Sequence, residues 1–387
     1  MGETHGGETP HKTAVDPSDR AFGQNPYADY ARLHEAGPAF RWPALDCTCF
    51  ASFEAVDTLL RDRRFGREIT HLVSRDALGW PPPPERLKPF LEFEAGAMLE
   101  REPPVHTRLR GVVNRAFVSR RIERLAPRIE ALAHAQIDGI ERSGNPEHDL
   151  IADYAAPILV TVIAEMLGAP IAMGEQLVDW SRRMTAMYRL NRTRADEDDA
   201  VAATEAFTDY IATQLDARQD KPTDDLMGVL LASEKEPGGL TRAETISSCI
   251  LLLNAGHEAT VHGLGNGVKT VLEWDGDAAK LFETDDQAAA TVEEILRFET
   301  PLHLFMRYAL EDVDVFGVQL RQGERIGLVL GAANRDPSRF RDPDRFDPYR
   351  NDNAHVSFGA GLHFCIGAPL ARLELLFRPE ADRHGCS

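Results

Sequence analysis

Apolar and polar residues recur along most of the chain at the three-to-four-residue spacing of amphipathic helices. The pattern predicts an early helix including Asp57–Arg61 and two helices across Val105–Arg142, separated near Val118 and Ser119. Further helices are predicted over Asp149–Leu167, Gly174–Leu190 and Asp199–Arg218. The longest runs from Thr241 to Trp274. It opens on Thr241-Arg-Ala-Glu244, a capping-box pattern, carries the apolar run Cys249–Leu253 and stops at Asp275-Gly276. At 1.5 Å per residue it spans roughly 50 Å, so it must be buried for much of its length. Asp286–Thr300 reads as a helix ended by Pro301. The period then shortens. Phe305–Leu310, Val313–Phe316 and Arg325–Leu330 read as strands, with turns at Gly317 and Gly323. A meander rich in Asp, Pro and Arg follows over Asn334–Arg350, then a loop carrying Cys365 and a helix from Ala368. The fold class expected is mostly α with a small β-sheet region.

Two stretches break the pattern. Gly79–Glu85 holds four consecutive prolines and reads as a loop. The acidic run Asp196–Asp199 reads as a solvated turn between helices. No internal repeat or interdomain linker stands out. The organisation expected is a loose polar tail over 1–20, a single domain over 21–377 and an off-pattern tail over 378–387.

Composition narrows the function. The 387 residues carry 43 Lys and Arg against 62 Asp and Glu, a net charge of −19. That balance argues against general nucleic-acid binding and against docking on anionic lipid. Five scattered cysteines cannot form a disulfide framework and fit a reduced cytoplasmic compartment. No stretch is read as long and apolar enough to span a bilayer, and the first twenty residues lack the apolar core of a signal peptide.

The segment Phe358-Gly-Ala-Gly-Leu-His-Phe-Cys-Ile-Gly367 is the most informative. Its cysteine stands among three glycines, just ahead of Ala368-Pro369. Proline is favoured at a helix start, so Cys365 lies near a helix N-terminus, where dipole and free N–H groups favour a thiolate. Such a thiolate can be a nucleophile or an axial metal ligand, and a lone Cys in a tight turn can also be plain core.

The full pattern Phe-x-x-Gly-x-x-x-Cys-x-Gly, with His two residues before the Cys, resembles the haem-binding loop of the cytochrome P-450 superfamily. Three more motifs agree, in that family's order. They are Glu294-Ile-Leu-Arg297, Ala255-Gly-His-Glu-Ala-Thr260 and His106-Thr-Arg-Leu-Arg110. The meander from Asn334-Arg-Asp-Pro to Phe346-Asp347 and Arg350 also matches. The resemblance covers roughly Phe22–Phe377 and implies the family's fold, with a long central I helix and the Cys loop before the L helix.

It also implies haem b (iron protoporphyrin IX), with Cys365 as the metal ligand and Phe358, Gly359 and Gly367 shaping its loop. His106, Arg110, Arg307 and His363 would meet the haem carboxylates, and Ala255 and Gly256 would lie over the haem. A thiolate ligand favours O–O cleavage, so the implied reaction is monooxygenation of a small or medium apolar substrate by O2. Glu294 and Arg297, three apart on one face, would lock to the meander through Arg350.

Proton delivery departs from the usual pattern. The family's acid is here Glu258, but Ala259 follows where Thr is usual. Thr260 comes about 100° further round the helix, where it either joins the relay or bonds back to its own helix. Water held at a kink near Ala255-Gly256, with Glu258, is the expected relay. Electrons must come from outside. Arg101–Glu130 carries eight Arg and three Glu, a local +5, and suggests docking of a ferredoxin or flavodoxin near Arg101–Arg128. The protein is expected to be a monomer.

Leu87, Phe90, Leu91, Met184, Met187, Tyr188, Leu302, Leu304 and Phe305 are expected to form an apolar pocket or plain core. After Phe377 the family's C-terminal hairpin is expected to be missing, as in a truncated or frame-shifted chain. Alternative readings are therefore an inactive haem-binding remnant or a peroxide-driven haem-thiolate enzyme. A Cys365 nucleophile is more distant, because no His is placed by sequence to activate it.

Overall fold

The computed structural model describes residues 11–117 and 119–376, with the backbone alone over 119–123; the off-pattern 378–387 segment lies outside them. The chain forms two compact units. One combines the residues up to Pro81 with Leu272–Cys365, the other Pro82–Val271 with the residues after Cys365.

The first unit holds a six-stranded sheet. Its strands run in the order His11–Lys12, Ala39–Trp42, Cys47–Phe50, Arg325–Val329, Leu304–Ala309 and Phe65–Gly66. A two-stranded ribbon pairs Val313–Val315 with Val318–Leu320. The sequence pattern anticipated Leu304–Ala309, Arg325–Val329 and the first strand of the ribbon. Ala39–Trp42 and Cys47–Phe50 escaped it because they are four residues each and joined by a tight Pro43–Leu45 turn. From the 1–20 segment, His11–Lys12 pairs in parallel with Phe40–Arg41. Two apolar clusters pack against the sheet. One centres on Phe50, Leu59, Ile326 and Leu328, the other on Tyr30, Phe40 and Trp42.

The second unit is helical. Its long helix spans Arg242–Glu273, 32 residues, and Thr241 and Glu244 form the expected capping box. The helix is continuous through Ala255 and Gly256, so the kink expected there is not a break in the helix. Val105–Ala116 and Ser119–Ser143 are separate helices, as the pattern predicted.

Two expectations are corrected. The acidic run Asp196–Asp199 lies in the first two turns of the Arg194–Arg218 helix, not in a turn between helices. Thr193 and Asp196 cap it reciprocally, and acidic side chains suit the positive end of a helix dipole. One stretch, Leu150–Leu167, does have the length and composition to cross a membrane. Its Ile163, Ala164 and Leu167 are instead buried in the apolar core of this unit.

The deepest ionic group of the first unit is the pair Glu294–Arg297 on the Asp285–Phe298 helix, both side chains fully buried. Arg297 donates from Nε and Nη2 to the two carboxylate oxygens, each at 2.7 Å. Its Nη1 reaches the carbonyls of Asn334 and Pro343, both at 2.9 Å, and Nη2 reaches that of Arg345 at 3.3 Å. Glu294 also accepts the backbone N–H of Asp347 and faces the Arg350 guanidinium at 3.3 Å. The lock through Arg350 is thus present. Breaking a buried pair leaves an uncompensated charge, at a cost of about 3–5 kcal/mol. Glu294→Ala is therefore expected to lower unfolding free energy by about that much in urea titrations, and Glu294→Ala/Arg297→Met by less than the sum of the two single changes.

His303, half-buried, is a second polar group of this unit. Its Nδ1 meets the Tyr30 hydroxyl at 2.9 Å. Burial, helped by the nearby Arg335 charge, holds its pKa down to about 4. The unfolded chain binds this proton near pH 6.5, so the folded state loses stability as pH falls from about 6.5 to about 4. The loss is about 3 kcal/mol, since each pKa step is worth about 1.4 kcal/mol. Urea unfolding at pH 7 and pH 4 is expected to show a drop that is smaller by about this amount in His303→Gln.

Candidate active site

The Cys365 loop is held by side chains the motif does not contain. Asn334, fully buried, donates from Nδ2 to Thr300 Oγ1 at 2.7 Å and to Ser357 Oγ at 2.8 Å. Its Oδ1 accepts the N–H of Val356 at 2.9 Å. Ser357 Oγ in turn donates to the Leu296 carbonyl at 2.7 Å. The entry to the loop is thereby tied to the end of the helix that carries Glu294 and Arg297. Sequence reasoning placed Asn334 only in the meander; nothing in Asn-Arg-Asp-Pro distinguishes an anchoring amide from a turn residue.

From this anchor the loop turns twice through left-handed glycines, Gly359 and Gly361, both at φ +67°. A Cβ on Gly361 would stand 2.6 Å from the Leu60 carbonyl oxygen, so this position admits only glycine. A Cβ on Gly359 would stand 3.1 Å from the Phe305 ring. Cys365 follows, exposed, its N–H donating to the Phe358 carbonyl at 3.0 Å. His363 is half-buried in a short 3-10 turn. Arg307 is 2% exposed, and its guanidinium lies 5.9 Å from the centre of the Phe305 ring. Phe305 thus brings Arg307 and Gly359 together. Gly367 caps the Ala368–Leu375 helix, with Pro369 in its first turn.

In the second unit His106 is 1% exposed and Arg110, one turn later on the Val105–Ala116 helix, is half-buried. On the long helix Leu251–Asn254 and Thr260–Val261 are buried, but Ala255 is exposed and Gly256–Ala259 are half-exposed. A Cβ on Gly256 would stand 2.8 Å from Ile163 Cδ1, so this glycine also serves helix packing. Of the expected pocket residues, Leu87, Phe90, Met184 and Met187 are core, whereas Tyr188 and Leu302 are about half exposed.

Haem asks a chain for an accessible sulfur, cationic donors for two carboxylates and a patch of small side chains. Within the first unit exposed Cys365 supplies the sulfur and Arg307 and His363 supply donors; within the second His106 and Arg110 are donors and the open Ala255–Ala259 strip carries small side chains, so the residues of each unit fit the group. Removing the Asn334 amide would orphan the Val356 N–H and take one donor from the Thr300 and Ser357 hydroxyls, which keep their backbone carbonyl partners. Asn334→Ala is expected to cost about 2–4 kcal/mol. It should also raise the fraction of protein whose reduced carbon monoxide complex has lost the thiolate spectrum, read by difference spectroscopy.

A sequence model described as Cytochrome P450 matches residues 288–377. The chain is 32% identical over 370 residues to the polyketide biosynthesis cytochrome P450 PksS of Bacillus subtilis, covering 94% of this chain and 89% of that protein. It is 36% identical over 379 residues to nocardicin C N-oxygenase of Nocardia uniformis, at 94% and 89% coverage. Among solved structures, P450BioI, crystallised with an acyl carrier protein bearing hexadec-9Z-enoic acid, superposes with a TM-score of 0.84 at 34% identity. That match covers 92% of this chain and 90% of the other. With these relatives aligned over nearly its full length, the chain belongs to the cytochrome P450 family of haem b monooxygenases, and it is an oxidoreductase.

Proposed function

We propose that Cys365 would ligate the haem iron as a thiolate and that this protein oxygenates a small or medium apolar molecule. The observation that carries the reading is an accessible cysteine on a loop that Asn334 and two left-handed glycines leave little freedom. The bound haem would supply O2 activation at its iron. The chain's part is to bind, orient and exclude water. Arg307 and His363 of the first unit, and His106 and Arg110 of the second, are the donors that would meet haem carboxylates. Ala255 and Gly256 would leave room for the haem, whereas Leu87, Phe90 and Met184 pack in the apolar core of the second unit. Per turnover one oxygen atom enters the substrate and the other leaves as water, with two electrons and two protons. Glu258 is the proton-handling carboxylate at the open strip, and Ala259 contributes space without a hydroxyl.

The electron donor proposed is a separate ferredoxin or flavodoxin docking near Arg101–Arg128. This surface is less cationic than a count of residues suggests. Arg108 is paired with Glu244 at 2.5 Å, Arg115 with Glu236 at 3.4 Å and Arg128 with Glu165 at 2.6 Å. The three carboxylates bring the local balance from +5 to +2. A cytoplasmic location is proposed from the scattered thiols.

The test is the carbon monoxide difference spectrum of the reduced, haem-loaded protein. Wild type is expected to show the red-shifted Soret band of a thiolate complex, and Cys365→His to lose it while keeping haem. Absence of the band in wild type would overturn the ligand assignment. Turnover with NAD(P)H and a ferredoxin system, but not with hydrogen peroxide alone, is expected; the reverse would favour a peroxide-driven enzyme, which Ala259 makes chemically reasonable.

A further inference from the structure

The second unit buries two polar atoms that have no hydrogen-bond partner, on two helices that touch. Asn254 on the long helix is 8% exposed, and its Nδ2 lies 3.8 Å from the Met184 sulfur. Its Oδ1 has no partner. Met184 belongs to the Gly174–Thr185 helix, and Ser181 lies one turn earlier on the same face. Ser181 is 1% exposed and its Oγ is likewise without a partner. A buried serine in a helix ordinarily bonds back to the preceding turn; this one does not.

Buried polar groups are almost always hydrogen-bonded, and the exceptions call for an occupant. The surroundings narrow what it can be. Phe90, Met184, Met187 and Leu251–Leu253 form the apolar core here, so a charged group would be heavily penalised. Asn254 Oδ1 can only accept. Ser181 Oγ can donate and accept. A hydroxyl is the smallest neutral organic group that offers a proton to the first and a lone pair to the second. A ketone has no proton to offer, and a protonated amine has no lone pair. Asn254 also immediately precedes the open strip, which begins at Ala255.

We infer that the substrate is an apolar molecule bearing a hydroxyl group, and that Asn254 and Ser181 are the residues that recognise this hydroxyl beside the oxygen-activation stretch. The assignment rests on the haem reading of Ala255-Gly256 and adds to it a substrate class and two specificity residues.

The test titrates the haem-loaded enzyme calorimetrically with matched pairs: dodecan-1-ol against 1-methoxydodecane, and cyclododecanol against methoxycyclododecane. Each ether keeps the oxygen and removes the proton. Wild type is expected to bind the alcohol of at least one pair about tenfold more tightly than its ether. Asn254→Leu and Ser181→Ala are each expected to lose most of that preference without weakening the ether. Ligand-free Ser181→Ala is expected to keep or raise Tm, because the hydroxyl it removes had no bond to lose. Equal affinities within both pairs, no binding of either alcohol, a preference that survives Asn254→Leu, or a lowered Tm would each overturn the inference. Carbon monoxide spectra of the same samples separate the two levels. An intact thiolate band without alcohol preference sinks this inference alone, whereas a missing band sinks the haem reading and this inference with it.

Discussion

Arg297 is the constraint on which the first unit depends. A guanidinium cannot shed its proton, so a fully buried one must have its donors met inside the protein. Here one carboxylate takes two N–H groups and three backbone carbonyls of the following segment surround the rest. Those carbonyls, from Asn334, Pro343 and Arg345, belong to a stretch with little regular structure. The meander's path is thus set by where the cation needs acceptors. Arg335 extends the same logic, stacked 3.9 Å from the Tyr27 ring centre and 3.6 Å from that of Phe298, with its Nε and Nη2 on the Phe298 carbonyl.

The consequence for the site runs through one residue. Asn334 gives its carbonyl to Arg297 and its side chain to the start of the Cys365 loop. An ionic requirement at the helix end is thereby converted into a fixed loop entry about sixty residues later in the chain. Two left-handed glycines then restrict the remaining path. Rigid support beneath a reactive side chain is what a binding site needs from its scaffold.

Much of this was legible in the sequence, unevenly and for physical reasons. Long periodic helices such as Arg242–Glu273 announce themselves, because an apolar stripe sustained over nine turns matches the helical period and not the strand period. The Cys loop, the Glu294–Arg297 spacing and the Arg350 lock were readable as motifs. The short strands Ala39–Trp42 and Cys47–Phe50 were not, because four residues carry too little periodicity and the pairing of Cys47–Phe50 with Arg325–Val329 is nonlocal. The role of Asn334 was hidden for a similar reason, its partners being 22 to 34 residues away. The acidic run misled because charge density was weighed above capping. Thr193 three residues before Asp196 carried the right signal.

The small residues of the long helix impose a last condition on the proposed chemistry. Ala255 and Ala259 are four apart and so share a face, and that face is the accessible one. Thr260 is rotated about 100° from Ala259 and is 7% exposed, on the core side of the helix. The open strip therefore presents the carboxylate of half-exposed Glu258 but no hydroxyl of its own. On the proposed reading, no hydroxyl of this strip can carry a proton on from Glu258. Water or a hydroxyl on the substrate, arriving with the bound molecules, would fill that role. Asn254 lies four residues before Glu258 on the same face, so a hydroxyl held at its Oδ1 would sit one helical turn from the carboxylate. In such an arrangement substrate recognition and proton supply would be coupled, because a molecule lacking the hydroxyl would remove a carrier as well as a contact.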